Sequence, residues 1–293
     1  MRELKHQITI LLLVGFLCST VMGVDSDNVG KLVSSELNHK KFNEGCKTKI
    51  LLISSQPDHP YLMHMYLYEC CLLAKCLRQN SGVDAVVSSG WPKDGNELAK
   101  ADAIVMYSGP VADRFLHSQN AVKQLKKFAD LGKGIVALHW ATGVLREDNK
   151  ERARLWLSLL GCIYDKNQSN VMTDYARVRK LDNNHPISRG WMDFLTFDEY
   201  YLNMKTEKGV VPLVKVEIDN GKEDIVAWYH QRPDGGRSYA NTLGHYHYNF
   251  ANPSFLKMYL NGILWAAKYE IPKQGVKCRV SPYDLNLLPK PKD

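Results

Sequence analysis

The stretch Gly132-Lys-Gly-Ile-Val-Ala-Leu-His-Trp-Ala-Thr-Gly143 decides the fold of this chain. Ile135 to Leu138 is a short apolar run between glycines, which is typical of a buried strand in a parallel sheet. His139 and Trp140 come directly after it. Ligands of open α/β sheets bind outside the carboxyl ends of the strands, so His139 has two interpretations. It is either a functional ligand or base, or a hydrogen-bonded polar residue that closes the sheet.

Apolar runs before this stretch repeat the pattern of strand, helix and strand. We predict strands at Lys49–Ser54, Val83–Ser88 and Ala103–Tyr107, and helices at Met65–Gln79 and Asn120–Leu131. This alternation with short connections predicts an open, mostly parallel α/β sheet with helices on both faces. The second half of the chain is less regular, and we expect it to be an irregular extension of the same domain.

The N-terminus has the features of a signal peptide. Arg2 and Lys5 precede the apolar run Ile8–Cys18, and small residues precede Val24. The run is too short for a comfortable membrane span, so we expect export to the periplasm or the cell exterior without stable membrane insertion. The predicted divisions are a signal peptide at 1–23, a polar leader at 24–46, the α/β domain at 47–276 and a C-terminal tail at 277–293.

Composition excludes several classes of function. The formal net charge of +7 is spread along 293 residues, without a basic stripe interleaved with aromatic residues, so we expect no nucleic-acid partner. A P-loop and a correctly placed G-x-G-x-x-G are absent from the sequence, so we expect no nucleotide cofactor.

The cysteines fall into two groups. Cys70, Cys71 and Cys76 lie on one predicted helix among apolar residues, which favours buried free thiols. Cys46 and Cys278 flank the domain, and export would permit a disulfide between them. The sequence cannot decide whether they pair.

Histidines gather just after the predicted strands. Neutral imidazoles and carboxylates are the usual ligands of zinc and similar divalent ions, and the same groups serve as general bases. There is no H-E-x-x-H motif, so the alternative is a polar pocket of hydrogen-bonded histidines. The residues of this group are His59, His64, His139, His245 and His247, with Glu199 as a candidate carboxylate. If His245 and His247 lie on a strand, their rings point to one side.

Aromatic residues are abundant near the same loops. Aromatic faces with interleaved polar groups suit sugars, whereas the alternative for each ring is packing in the core. The residues predicted to contact a sugar are Trp140, His59, Tyr201, Tyr246 and His247.

Seven short motifs occur in one order between Thr48 and Val276. They are Lys49-Ile-Leu-Leu-Ile-Ser54, Gly134-Ile-Val-Ala-Leu-His-Trp140, His185-Pro-Ile, Asp198-Glu-Tyr-Tyr201, Gly235-Gly-Arg237, Gly244-His245 and Asn261-Gly-Ile-Leu-Trp-Ala266. With these motifs the sequence resembles the ThuA-like family of the trehalose-utilisation type. That family shares the fold of the class I glutamine amidotransferases.

The resemblance implies a change of chemistry at the opening stretch. In the amidotransferases, a nucleophilic cysteine occupies the turn after the strand, and a later histidine and glutamate complete a triad. Here that turn falls at His139 or its neighbour, with no cysteine, and His247 rather than a glutamate follows His245 by two residues. The thiol attack of glutamine hydrolysis is therefore missing. The resemblance implies carbohydrate metabolism, on trehalose-type disaccharides and their keto-sugar derivatives, and supplies no mechanism.

These observations lead to two principal hypotheses. The first is an exported enzyme that cleaves a sugar or keto-glycoside by hydrolysis or elimination. Its predicted catalytic residues are His139, His245 and Glu199, and its predicted ligands for a divalent metal ion such as zinc are His64, His139 and His245. The second is a non-catalytic carbohydrate-binding protein. A third, retained amidohydrolase activity, would need a thiol of low pKa. The sequence leaves the oligomeric state open, with a homo-oligomer among the alternatives.

Overall fold

A nine-stranded sheet and a small three-stranded sheet organise the part of the chain that the structure describes, residues 28–93, 95–145, 150–218 and 221–285 of a computed structural model. The strands are β1 Thr48–Ser54, β2 Val83–Ser89, β3 Ala103–Tyr107, β4 Gly134–Leu138, β5 Gly143–Val144, β6 Cys162–Asp165, β7 Asn170–Lys180, β8 Phe194–Leu202, β9 Lys205–Thr206, β10 Val210–Ile218, β11 Lys222–Gln231 and β12 Arg237–Asn241. The small sheet consists of β5, β6 and β9.

Helices connect the strands and cover the sheet. They are α1 Asn28–Asn38, α2 Tyr66–Leu77, α3 Asn96–Lys100, α4 Val111–Arg114, α5 Gln119–Asp130, α6 Lys150–Leu160, α7 Pro253–Ala266 and α8 Pro282–Leu285. Within the described ranges, 3-10 turns lie at His139–Thr142, Pro186–Ser188 and His247–Ala251.

The large sheet is half parallel and half antiparallel. Its strand order is β2-β1-β3-β4-β12-β11-β10-β7-β8. The pairs from β2 to β12 are parallel, and the pairs from β12 to β8 are antiparallel. The expectation of a mostly parallel sheet therefore describes only one half. The second half is also more regular than expected, because antiparallel strands can leave one face in water and so lack the continuous apolar runs of β3 and β4.

The parallel strands lie between two apolar layers. Every residue of β3 and β4 is buried. One layer joins the sheet to α2 and α7, and the other joins it to α5 and α6. The approach of α7 to β12 is close enough to require a glycine, because a Cβ on Gly262 would lie 2.1 Å from a ring carbon of Tyr239.

The two ends of the described chain pack together on α2. In α1, Leu32, Val33 and Leu37 pack against the core, within the range predicted as a polar leader. At the other end, Lys75 Nζ donates to Asp284 Oδ1 at 2.6 Å. The predicted signal peptide at 1–23 lies outside the described residues. Within the described ranges, no helix is long and apolar enough to cross a membrane.

The structure decides the cysteine pairing that the sequence left open. Cys46 and Cys278 are both free thiols and form no disulfide with each other. The C-terminal segment runs along α2 and brings the Cys278 thiol within hydrogen-bonding range of Cys76, which raises the pKa of Cys76. As predicted, Cys70, Cys71 and Cys76 are buried free thiols.

Candidate metal centre

Four side chains from four separate segments converge at the carboxyl edge of the parallel strands. His64 precedes α2, His139 follows β4, Glu199 lies on β8 and His245 follows β12. Each offers one ligand atom, and these atoms all lie within 4.8 Å of one another. The structure thus brings together the predicted metal ligands and the predicted catalytic residues in one group, which we call the histidine cluster.

The three imidazoles meet nitrogen to nitrogen. His64 Nε2 lies 2.8 Å from His139 Nε2 and 3.0 Å from His245 Nδ1. The carboxylate is slightly farther away: Glu199 Oε1 lies 3.9 Å from His139 Nε2, and Glu199 Oε2 lies 3.6 Å from His245 Nδ1. All three rings are buried, and 17% of the Glu199 side chain is exposed. The cluster therefore meets solvent mainly on the side of Glu199.

The outer nitrogens of two rings determine where the protons are. His64 Nδ1 lies 2.7 Å from Asp58 Oδ1, and His139 Nδ1 lies 2.7 Å from the carbonyl oxygen of Thr242. An ionised carboxylate and a carbonyl only accept hydrogen bonds, so each Nδ1 carries the proton. In the neutral rings, both Nε2 atoms are then lone pairs that face each other at 2.8 Å. A cation held between the two nitrogens would relieve the repulsion of these lone pairs.

Burial keeps the imidazoles neutral. It lowers the pKa of His64, although a hydrogen bond to Asp58 acts in the opposite direction. Burial and the neighbouring imidazoles lower the pKa of His139, and burial also lowers the pKa of His245, to about 3. The rings are therefore uncharged at pH 7, which is the form that coordinates metal.

The geometry fits a zinc-type ion. Tetrahedral ligands at roughly 2.0–2.1 Å from zinc are about 3.3 Å apart. The observed separations of 2.8 and 3.0 Å would open by only a few tenths of an ångström to meet this requirement. His64, His139 and His245 could supply three ligands, and Glu199 could bind as a fourth ligand or act as a base.

An unusual backbone conformation orients two of the rings. His139 has φ 51° and His64 has φ 48°, so both occupy the left-handed region that residues other than glycine rarely adopt. Such a conformation costs about 1–3 kcal/mol and persists only where surrounding structure holds it. At His139 it forms the sharp turn between β4 and the following 3-10 turn. At His64 the backbone N–H donates to the His245 carbonyl oxygen at 3.1 Å, which joins the two loops.

A buried carboxylate holds the third histidine. Asp198 Oδ2 accepts from the Gly244 N–H at 2.7 Å, and Asp198 Oδ1 accepts from the His245 N–H at 3.0 Å. Burial raises the pKa of Asp198 to about 7 despite these hydrogen bonds. Asp198 thereby attaches the loop after β12 to strand β8, next to Glu199.

The aromatic residues predicted to bind sugar lie around the cluster. The Tyr201 hydroxyl is 3.2 Å from His139 Nε2, and the Trp140 ring lies 5.3 Å from the Tyr201 ring. The Tyr246 ring lies 4.6 Å from His245, and the His59 ring lies 3.7 Å from His64. The Trp140 and Tyr246 side chains are half-buried, so both keep a surface that a ligand could reach. Their contact with a sugar stays a prediction.

His247 lies apart from the other predicted residues. Its Nδ1 faces Glu69 Oε1 at 3.4 Å, and its Nε2 donates to the Leu285 carbonyl oxygen at 3.1 Å. The expectation that His245 and His247 point to one side is wrong, because β12 ends at Asn241 and His247 begins a 3-10 turn.

The structure adds site residues that the sequence reasoning missed. Asp58 accepts from His64, Tyr66 donates to Asp58 at 3.1 Å, and Thr242 accepts from His139. Asp58 directly precedes His59 in the loop after β1 and lies six residues before His64, so an acidic residue close to two histidines was the available signal. Nothing in the sequence marks the Thr242 carbonyl oxygen as a partner.

Fold and site together define the class of protein: an α/β sheet with a histidine and glutamate cluster at its carboxyl edge. A family model described as ThuA, trehalose utilisation, matches residues 60–266. The chain therefore belongs to the ThuA family, and the description of that family points to carbohydrate metabolism. The matched range contains the whole histidine cluster. No curated protein matches the chain.

Solved structures support the fold. A ThuA-like protein from Bacteroides uniformis is similar over 77% of this chain and 94% of its own, at 15% identity and a TM-score of 0.58. A ThuA-like protein from Parabacteroides merdae is similar over 81% of this chain and 98% of its own, at 16% identity and a TM-score of 0.56.

Proposed function

We propose that this chain is an exported, metal-dependent enzyme that cleaves a sugar or keto-glycoside. His64, His139 and His245 would hold a divalent ion such as zinc, and Glu199 would act as the acid and base. The observation that carries the proposal is that the Nε2 atoms of His64 and His139 lie 2.8 Å apart, with their lone pairs facing each other. Asp58 and Thr242 fix this arrangement, because each accepts a hydrogen bond from the Nδ1 atom of one ring.

A bound divalent ion would polarise the ketone of a keto-glycoside and so make the neighbouring C–H bond more acidic. Glu199 would accept that proton, because it lies beside the three rings and keeps part of its side chain in solvent. Burial raises the pKa of Glu199, which brings it closer to the range of an effective general base. As the C–H electrons form a double bond, the glycosidic C–O bond breaks. Protonated Glu199 then returns the proton to the leaving oxygen.

Metal content and turnover of the same preparations test this proposal. We expect about one divalent ion per purified chain, measured by elemental mass spectrometry, and cleavage of a keto-disaccharide. His139→Gln and His245→Gln should each reduce metal content and turnover together. Removal of the ion with a chelator should stop turnover, and addition of zinc should restore it.

His117→Gln is the matched control, because His117 is an exposed histidine outside the cluster. It should retain both metal and activity. Undiminished turnover in the chelated protein, or in both His139→Gln and His245→Gln, would contradict the proposal.

The second candidate is a carbohydrate-binding protein without turnover. The half-buried rings of Trp140 and Tyr246 beside the cluster favour this alternative, because aromatic faces can hold a sugar without chemistry. Calorimetry of the chelated protein separates the two candidates. Unaltered sugar binding in the chelated protein, with no cleavage by the metal-loaded protein, would favour the binding protein.

Export is tested independently of chemistry. Arg2, Lys5 and the apolar run Ile8–Cys18 support a cleaved signal peptide. Mass spectrometry of the protein recovered outside the cytoplasm should give a mature N-terminus at Val24. A protein that stays in the cytoplasm with residues 1–23 attached would contradict export.

A further inference from the structure

After α7 the chain runs back to the end of α2, where two side chains hold it by pairs of hydrogen bonds. The Lys277 N–H donates to Asn80 Oδ1 at 2.8 Å, and Asn80 Nδ2 donates to the Lys277 carbonyl oxygen at 3.2 Å. The Arg279 N–H donates to Gln79 Oε1 at 2.9 Å, and Gln79 Nε2 donates to the Arg279 carbonyl oxygen at 2.7 Å. Cys278 lies between these two pairs, so its backbone is fixed beside α2.

The Cys278 side chain meets a second cysteine. Cys76 lies on the last turn of α2, one helical turn before Asn80. The two thiols are within hydrogen-bonding range of each other. Cys76 is fully buried, whereas Cys278 is half-buried and both of its neighbours in the chain are exposed. A free thiol near the surface thus contacts a free thiol in the core, and the two come from segments far apart in the chain.

The two thiols differ in reactivity. The hydrogen bond from Cys76 lowers the pKa of Cys278 although burial opposes it, and the Lys257 ammonium group acts in the same direction as the hydrogen bond. The same contact, together with burial, raises the pKa of Cys76. The thiolate is the nucleophilic form of cysteine. Cys278 is therefore the thiol that reacts first, and Cys76 is in place to attack it afterwards.

We propose that Cys76 and Cys278 are a redox-active pair that forms a disulfide on contact with a disulfide oxidant, and that this bond ties residues 277–285 to α2. The class of oxidant is a disulfide, either a small molecule such as oxidised glutathione or the disulfide of an oxidoreductase. The signal-peptide features of residues 1–23 would bring the chain to a compartment where such oxidants act. The proposal is independent of the chemistry at the histidine cluster.

Oxidation would proceed by two exchange steps. The Cys278 thiolate attacks one sulfur of the oxidant, forms a mixed disulfide and releases one thiolate. Cys76 gives its proton to the released thiolate and attacks Cys278 Sγ, which forms the bond between the two cysteines and releases the second thiolate. The two cysteines thereby lose two protons and two electrons, and the oxidant disulfide becomes two thiols.

The segment that this disulfide would hold extends to the loop of the histidine cluster. The Tyr68 hydroxyl donates to the Asp284 carbonyl oxygen at 2.7 Å. His247, two residues after His245, donates through Nε2 to the Leu285 carbonyl oxygen at 3.1 Å. The disulfide would also close a covalent loop that contains every strand from β2 to β12. A long loop lowers the entropy of the unfolded chain most, so the bond should stabilise the fold.

The alternative is that the two thiols only fill the core. Cys70 and Cys71 show that α2 accommodates such cysteines, since both are fully buried. Cys278 differs from them because part of it is exposed, and because the hydrogen bonds of its neighbours hold it against a thiol of another segment. A cysteine that only fills the core needs neither feature.

Peptide mapping tests the proposal. The purified protein is incubated with oxidised glutathione, digested with trypsin without reductant and analysed by mass spectrometry. Trypsin cuts after Lys75 and Lys277, so Cys76 and Cys278 lie in peptides without another cysteine. We expect these two peptides to be linked in the wild type and not in Cys278→Ser or Cys76→Ala. Cys46→Ser is the matched control, because Cys46 is also a half-buried free cysteine, and it should keep the link.

Thermal unfolding measures the effect of the bond. The oxidised wild type should melt about 5–10 °C lower after dithiothreitol is added, the loss expected from a disulfide that closes a long loop. Cys278→Ser should show no such shift, and Cys46→Ser should show the full shift. All samples contain a chelator, so that dithiothreitol cannot act by removing a bound metal ion.

Two outcomes of the peptide mapping would overturn the proposal: unreacted Cys76 and Cys278, or glutathione attached to Cys278 with Cys76 still free. Equal melting temperatures of the oxidised and the reduced wild type would also overturn it. Neither measurement involves substrate or metal, so failure of the proposed reaction at the histidine cluster would leave these results unchanged.

Discussion

At the scale of single residues, the tautomer of His139 depends on the hydrogen-bond partner of its outer nitrogen, Nδ1. Its Nδ1 donates to Thr242, so its Nε2 is a lone pair directed at His64. Asp58 does the same for His64. These outer partners orient the rings and set their tautomers, and such contacts are a general feature of histidine metal ligands. The chemistry of the site is therefore decided by hydrogen bonds one step away from it.

Asp58→Asn tests that outer contact. The substitution keeps the size of the side chain but removes the ionised acceptor that holds the His64 Nδ1–H at 2.7 Å. We expect the affinity for zinc to fall about 10- to 100-fold, measured by competition with a chelator of known affinity. Asp130→Asn, an exposed position on α5, is the control and should bind zinc like the wild type. Equal zinc affinities in the wild type and in both variants would show that Asp58 does not support zinc binding.

The depressed pKa of His139 predicts how the stability of metal-free protein changes with pH. In the unfolded chain the imidazole takes up a proton below its ordinary pKa of 6.5, whereas burial prevents this in the folded chain. The unfolded state thus binds more protons, and the free energy of unfolding falls as pH drops below 6.5. One such group contributes a slope of up to about 1.4 kcal/mol per pH unit.

Urea unfolding between pH 7 and pH 5 measures this slope. His139→Gln lacks the titrating group, so its stability should fall less steeply with acid than that of the wild type. Groups present in both proteins contribute equally to both pH slopes, so their contributions cancel in the comparison. They include Asp198, whose raised pKa gives a slope of the opposite sign. Identical slopes in the two proteins would show that His139 titrates normally.

At the scale of elements, the site depends on how closely helix α7 packs on the sheet. Strand β12 leads directly to His245, and α7 covers β12 through Gly262 and Tyr239. A displacement of β12 would move the loop that carries His245. The position of His245 is therefore coupled to packing on the opposite side of the strand.

Gly262→Ala tests this packing. The added Cβ would lie 2.1 Å from a ring carbon of the fully buried Tyr239, so the helix or the ring must move. We expect a loss of about 1–3 kcal/mol in the free energy of unfolding, measured with urea. Gly30→Ala in α1 is the control, because its Cβ would meet nothing within 4 Å and alanine favours a helix. A Gly262→Ala protein as stable as the wild type would contradict this account.

At the scale of the whole molecule, the histidine cluster joins the two halves of the sheet. His64 and His139 follow the parallel strands β1 and β4, whereas Glu199 lies on β8 at the antiparallel edge. Asp198 on the same strand holds the His245 loop. Residues far apart in the chain therefore share one centre, and a ligand bound there would connect both halves.

Zinc should therefore stabilise the folded molecule as a whole. At a free concentration one hundred times its Kd, a ligand that binds only the folded state adds about 2.7 kcal/mol to the free energy of unfolding. We expect thermal unfolding of the wild type to shift upward with zinc, followed by circular dichroism. His64→Ala should show no shift at the same concentration. An equal shift in both proteins would place the stabilising ion elsewhere.

The sequence by itself determined the parallel core of this protein. Apolar runs such as Ala103–Tyr107 and Ile135–Leu138 identify buried strands because both faces of a parallel sheet are covered, and the structure places strands there. The positions of His64, His139 and His245 after strands also predict one shared edge. Family motifs spread over the chain gave the ThuA assignment.

Only the tertiary structure decided the antiparallel half and the contacts that define the centre. The polar strand β7 has a weak pattern in sequence, because one face is exposed and polar and only part of the other face is buried. Likewise, the separate environments of His245 and His247 follow from a turn, not from their spacing. The carboxylate and carbonyl that set the tautomers of His64 and His139 become neighbours only when the chain folds. Hydrogen bonds between distant segments have no signature in local sequence, and here they decide the chemistry.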